Sequence, residues 1–246
     1  MILICGPSGS GKSYSIRGLD KSRTCILNIE RKILPFCEAL QFGSCFEHST
    51  LESFEQGLDH ALKLDSYDTI VIESFSKYVE MLLTQSKIIN KGYEIWNYYN
   101  EKISKLLDRI KDNRNKFVIL LSIDERVEFI NPSGAITTSR RAKVAGKQWE
   151  GLIEKEFTIV LFTDVKQDKG KDSEYRFLVN NDGTCSAKSP PECFKHQGNF
   201  MSNDLASVIE QMRSYYSLKA PTPLTPQISL ETPKPKLPPM NTYVKS

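Results

Sequence analysis

The sequence predicts an α/β protein: a mostly parallel central sheet flanked by helices, with an antiparallel hairpin towards its C-terminal end. Three observations predict it. Short apolar runs alternate with helical stretches along most of the chain. Those runs are rich in Ile, Val and Leu on both faces, as strands covered from both sides must be. A glycine-rich segment also falls between the first run and the first helical stretch.

Taken in order, the predicted strands are Ile2–Cys5, Thr24–Ile29, Thr69–Glu73, Phe117–Ile123 and Phe157–Val165. Helices are predicted from Lys12 to about Leu19, and over Leu51–Leu64, Phe75–Asn90 and Tyr93–Asp112. The last of these carries Trp96, Tyr99, Ile103, Leu106, Leu107 and Ile110 at three- and four-residue steps, which form one apolar stripe for packing on the sheet. After Val165 the run from Gln167 to Ser173 is a charged turn, and Tyr175–Val179 reads as a strand returning antiparallel at the sheet edge. Asn180–Gly183 is another turn, and Asp204–Tyr216 closes the domain as a helix. The domain is therefore drawn over residues 1–217. Residues 218–246 hold seven of the twelve prolines and few large apolar residues, too little to bury, and are expected to form a proline-rich disordered tail.

Composition excludes several classes. The net charge of +3 does not force a nucleic-acid partner, so any such surface has to be local. No run reaches the roughly 18 apolar residues of a membrane span, and the apolar start has no basic leader, so a cytoplasmic protein is expected. Cys37 and Cys45, like Cys185 and Cys193 near His196, lack the close ligand spacing of a zinc site; reduced cysteines are expected.

Gly6-Pro7-Ser8-Gly9-Ser10-Gly11-Lys12-Ser13 satisfies G-x-x-x-x-G-K-[ST] in full, and Tyr14 follows directly. The chemistry needs these residues. Glycines let the backbone curl so that successive amides face a phosphate, and the following helix directs its positive end there. Lys12 supplies a mobile positive charge for the β- and γ-phosphates, and Ser13 a hydroxyl for Mg²⁺. The candidate nucleotide-binding residues are thus Gly6, Pro7, Ser8, Gly9, Ser10, Gly11, Lys12, Ser13 and Tyr14, with ATP and Mg²⁺ as ligands. Glu73 ends an apolar strand in the Walker-B manner and is the candidate partner of Ser13 on the metal. Glu30, just past Thr24–Ile29, is either an acid that polarises the attacking water or a simple partner of Arg31 or Lys32. The chain has no Asn-Lys-x-Asp guanine signature after Phe117–Ile123. The choice is then between an ATPase acting on a polymer and a small-molecule kinase.

The P-loop near the start, Ile29-Glu30, Ile70-Val71-Ile72-Glu73-Ser74-Phe75-Ser76 and Gly92-Tyr93-Glu94-Ile95-Trp96 together resemble the short RecA-type ATPases of bacteriophages, which are grouped with single-strand annealing and recombination. Gly146-Lys147-Gln148-Trp149-Glu150 and the block from Asp182 to Pro190 resemble later parts of the same proteins, so the similarity spans about Met1 to Tyr216. The resemblance implies a RecA-like core, ATP hydrolysis, homo-oligomerisation and single-stranded DNA as partner. It also implies that Glu30 activates water while Glu73 stands at the magnesium position. Two departures are visible: aspartate is usual where Glu73 stands, and the chain begins at the first core strand, without the N-terminal segment by which larger RecA-type recombinases polymerise.

Asp124–Gly146 reads as a long functional loop with a turn at Asn131–Gly134. Arg140, Arg141, Lys143 and Lys147 make it the candidate DNA contact, because guanidinium and ammonium donors suit phosphates. In a kinase the same arginines would clamp a transferred phosphate. Lys147 and Lys188 are candidates to complete a neighbouring protomer's site in trans. A third reading is a nucleotide-dependent loader or regulator that binds a replication protein through the proline-rich tail.

Overall fold

A computed structural model describes residues 1–130, 134, 136–195 and 197–218. The expected tail from Lys219 onward, Asn131, Pro132 and Ser133 of the expected turn, and His196 lie outside the described residues.

In chain order the elements are β1 (Ile2–Cys5), β2 (Thr24–Asn28), β3 (Cys45–Glu47), α1 (Leu51–Lys63), β4 (Thr69–Glu73), α2 (Phe75–Ile89), α3 (Glu94–Lys111), β5 (Phe117–Ser122), β6 (Asp124–Ile130), β7 (Ile136–Ala142), β8 (Ile159–Lys166), β9 (Glu174–Leu178), β10 (Phe200–Ser202) and α4 (Leu205–Tyr215). Eight strands form one sheet in the order β10-β9-β8-β1-β5-β4-β2-β3. From β8 to β3 every neighbouring pair is parallel, whereas β9 and β10 run antiparallel at the far edge. The strand carrying the P-loop thus lies between β8 and β5, and β5 separates it from β4. This is the mostly parallel α/β arrangement that the sequence predicts, including the antiparallel β8–β9 hairpin.

Alternate strand residues feed two cores, one on each face. Leu3, Leu27, Ile72 and Leu120 pack with Phe54, Tyr78, Tyr99 and Leu106 of α1, α2 and α3. Ile4, Ile26, Val71 and Leu121 pack with Ile16, Leu205, Val208 and Met212, which brings α4 against the segment after the P-loop. Burial on both faces explains why these strands read as continuous apolar runs. The helix starts have local causes: Thr50 accepts from the Ser53 amide at α1, Ser74 from Lys77 at α2, and Asp204 from Ala206 at α4. No helix among the described residues is long and apolar enough to cross a membrane.

Two expectations need correction. The helix predicted from Lys12 to Leu19 is a six-residue 3-10 helix, Ser13–Gly18. Ser15 turns its hydroxyl onto the Lys12 carbonyl at 2.5 Å, and this local competition, with Gly18 at the end, disfavours a longer α-helix. The long loop expected over Asp124–Gly146 is instead a regular antiparallel hairpin, in which β6 and β7 pair from Asp124↔Ala142 to Ile130↔Ile136. Cross-strand ion pairs, Asp124 with Arg140 and Glu125 with Arg141, fix that register.

Candidate functional site

The C-terminal ends of the parallel strands bring the candidate residues to one crevice, where open α/β sheets place their ligands. A cavity of about 770 Å³ opens there, lined by Ser8, Gly9, Gly11, Lys12, Ser13, Tyr14, Glu30, Glu73 and Ser74 among others. Ligand pockets commonly have this size.

The loop between β1 and the 3-10 helix is held from beneath. Gly6 is buried, and a Cβ there would lie 1.7 Å from Thr163 Oγ1, so no other residue fits. Thr163 Oγ1 donates to the Cys5 carbonyl at 3.2 Å and meets Ser10 Oγ at 2.5 Å. Gly11 adopts φ +94°, open to glycine at low cost. Pro7, Ser8 and Gly9 are exposed at the lip, and Ser10 is buried. Because the following helix is a single short 3-10 segment, the cradle rests on the loop's own amides more than on a helix dipole.

Lys12 arches back over this loop and donates to the carbonyls of Gly6 and Pro7, both at 2.7 Å. Burial pushes its ammonium below the usual lysine range, against the pull of Glu73 and Asp124, which hold it up. Ser13 Oγ donates to Glu73 Oε1 at 2.9 Å, so the two candidate metal-binding side chains meet across the crevice. The other oxygen of Glu73 is buried without a hydrogen-bond partner. Burial raises the Glu73 carboxyl from about 4.5 to about 7, more than Ser13 and Lys12 can offset.

Glu30 stands two residues beyond β2, and its amide reaches the Glu73 carbonyl at 3.2 Å. Its carboxylate accepts from the Ser74 hydroxyl at 2.9 Å and from Lys32 at 3.0 Å. Burial alone would raise it; those two bonds outweigh burial and leave Glu30 below the usual carboxylate range. Both acids therefore face the P-loop with opposite tendencies, Glu73 towards the neutral form and Glu30 towards the charged one.

The raised Glu73 carboxyl carries a prediction. A fold that favours its protonated form is unpenalised below about 4.5 and loses stability as pH rises to about 7. At about 1.4 kcal/mol per unit the cost reaches about 3 kcal/mol, and Glu73→Gln should recover about 2 kcal/mol of it at pH 8 in chelator-treated buffer. Thermal melts at pH 5 and pH 8 check the sign: the variant's advantage should grow with pH, and an equal difference at both values would refute it.

The basic residues of the β6–β7 hairpin behave differently from their expectation. Arg140 is tied to Asp124 at 2.6 Å and to the Thr163 carbonyl at 3.1 Å, with its guanidinium 5.2 Å from the Phe162 ring centre. Arg141 pairs with Glu125 and Glu150, each at 2.7 Å. Both arginines are half-buried structural partners of acids and not a free phosphate-binding pair, while Lys143 and Lys147 are exposed beside the hairpin root. Lys188 is anchored through its backbone to Val160.

Residues 1–190 match the family model described as AAA domain. The chain belongs to this family. As an AAA-domain protein it is a nucleotide-binding P-loop ATPase. Among solved structures it is similar to the flagellar accessory protein FlaH from Methanocaldococcus jannaschii, at 12% identity over 76% of this chain and 80% of that one, with a TM-score of 0.35. A comparison with curated proteins gives no match.

Sequence reasoning missed three neighbours of the AAA-domain nucleotide pocket. Ser74, read only as part of a motif, both caps α2 and holds Glu30. Thr163 supports the loop from 153 residues away. Tyr175 lies over Gly11. Only Ser74 had a local signal, standing next to the Walker-B acid.

Proposed function

We propose that this ATPase hydrolyses ATP with Mg²⁺ and acts on single-stranded DNA in phage recombination or replication, promoting annealing or strand pairing as a homo-oligomer. The observation that carries the hydrolytic part is the convergence of Ser13, Glu73 and Glu30 on one side of the loop that Lys12 spans. The oxygen donors present fit a hard divalent cation: the Ser13 hydroxyl and Glu73, one of whose carboxylate oxygens is buried without a partner. Magnesium, when bound, would neutralise charge on the phosphate oxygens. Lys12 would bind the triphosphate, and Glu30, kept ionised by Lys32 and Ser74, would orient and deprotonate water.

Support for DNA comes from the resemblance to phage RecA-type ATPases and from the hairpin that leaves the end of β5 beside the nucleotide pocket. Of the four candidate DNA contacts, Lys143 and Lys147 are the exposed cations, and the proposed phosphate contacts rest on them. The ion pairs of Arg140 and Arg141 also speak against the kinase reading, because a lid needs them free.

Phosphate release measured with and without single-stranded oligonucleotide tests both parts. Turnover should rise several-fold with DNA, and the rise should shrink as salt increases. Turnover that ignores DNA at every salt concentration would remove the DNA part and leave the ATPase standing.

A further inference from the structure

The nucleotide pocket has two chemically distinct ends. One is the polar cradle of the P-loop with its two acids. The other is apolar: Tyr14 and Tyr175 line the pocket beside the loop, and Ile33, Leu34 and Pro35 also contribute to its lining. No part of a triphosphate needs such a surface, but a flat, poorly hydrated ring system does.

Tyr175 is held over the loop itself. It sits on β9, opposite Val165 of β8, and its Cδ1 lies 2.8 Å from where a Cβ on Gly11 would be. Its ring centre is 5.7 Å from that of Tyr14 at an interplanar angle of 49°, a tilted pair that leaves ring surface uncovered. Tyr14 is fixed from behind: the Arg17 guanidinium is 4.0 Å from its ring centre and donates to the Tyr14 and Asn203 carbonyls at 3.0 and 2.6 Å. Tyr175 keeps 37% of its surface exposed, and Ile33, also in the pocket lining, keeps 79%. Two large apolar side chains left open at the rim of a binding pocket mark a place where something apolar packs.

We propose that Tyr175 is the residue on which the nucleoside of the bound nucleotide stacks, with Tyr14 as its fixed backing. This rests on the nucleotide-binding reading of the P-loop and adds to it the residue that sets affinity for the base. Aromatic stacking contributes about 1 kcal/mol, which is about fivefold in affinity.

Titration of ATP and of inorganic tripolyphosphate into wild type, Tyr175→Ala, Tyr175→Leu and Tyr175→Phe tests it, with a thermal melt for each variant. Tyr175→Ala and Tyr175→Leu should bind ATP about fivefold more weakly, Tyr175→Phe should match wild type, and tripolyphosphate affinity should stay within twofold throughout. Tyr175→Leu keeps apolar bulk on Gly11, so a folding defect in the alanine variant alone does not decide the matter. Unchanged ATP affinity in both variants, or an equal loss for ATP and tripolyphosphate, overturns the stacking role. A wild-type protein that binds neither ligand overturns the nucleotide reading beneath it.

Discussion

Lys12→Ala is expected to lower ATP turnover by about a hundred- to a thousandfold, the range seen when one preorganised charge-stabilising donor is removed from a transferring group. The site explains why the loss should be so large. The Lys12 ammonium is desolvated enough to sit below the usual lysine range, so its charge acts in a weakly screened environment. Glu73, Asp124 and Glu30 all lie close enough to influence it, and without Lys12 a triphosphate would meet these acids uncompensated. Folding should survive, because the Lys12 side chain gives only two hydrogen bonds, both to its own loop. Phosphate release at saturating Mg²⁺ and ATP is the measurement; near-normal turnover would remove the whole site assignment.

Glu30→Gln should separate binding from hydrolysis. The substitution keeps the shape of the side chain and leaves the hydrogen bond from the backbone N–H to the Glu73 carbonyl untouched, but it removes the basic carboxylate proposed to orient water. Nucleotide affinity should stay within about twofold, while turnover falls by about a hundred- to ten-thousandfold, the usual range for losing a general base. Equilibrium binding and multiple-turnover rates on the same preparation make the comparison. Retained turnover would show that another acid positions the water. The opposite tendencies of the two acids give this result its interest: Glu30, charged at neutral pH, suits a base, and Glu73, buried with one bare oxygen, suits a group completed by a cation.

Much of this was legible in the residues themselves. The parallel strands announced themselves because burial on both faces forces unbroken Ile, Val and Leu, and α3 because its stripe from Trp96 to Ile110 can only be one face of a helix. The phosphate loop was legible because its glycines answer a purely local backbone demand. The β6–β7 hairpin was not. Nine of its fourteen strand positions are charged or hydroxylic, and the partners that stabilise it, such as Asp124 with Arg140, are sixteen residues apart. The helix after Lys12 was misjudged because the motif implies a helix, whereas Ser15 and Gly18 weaken it locally. Thr163 and Tyr175 could not have been found by any spacing rule, because they reach the loop only through the order of the strands.

The contact between Ser10 and Thr163 links the phosphate loop to the hairpin. Gly6 leaves no room for a side chain beneath the loop, Ser10 meets the Thr163 hydroxyl there, and the Thr163 carbonyl accepts from Arg140 at the base of the hairpin. Seven-residue arms extend from that base, roughly 23 Å long at strand spacing. A tilt of a few degrees at that base would carry Ile130 and Ile136 through about an ångström or more. Three residues thus join the phosphate loop to the root of a long lever.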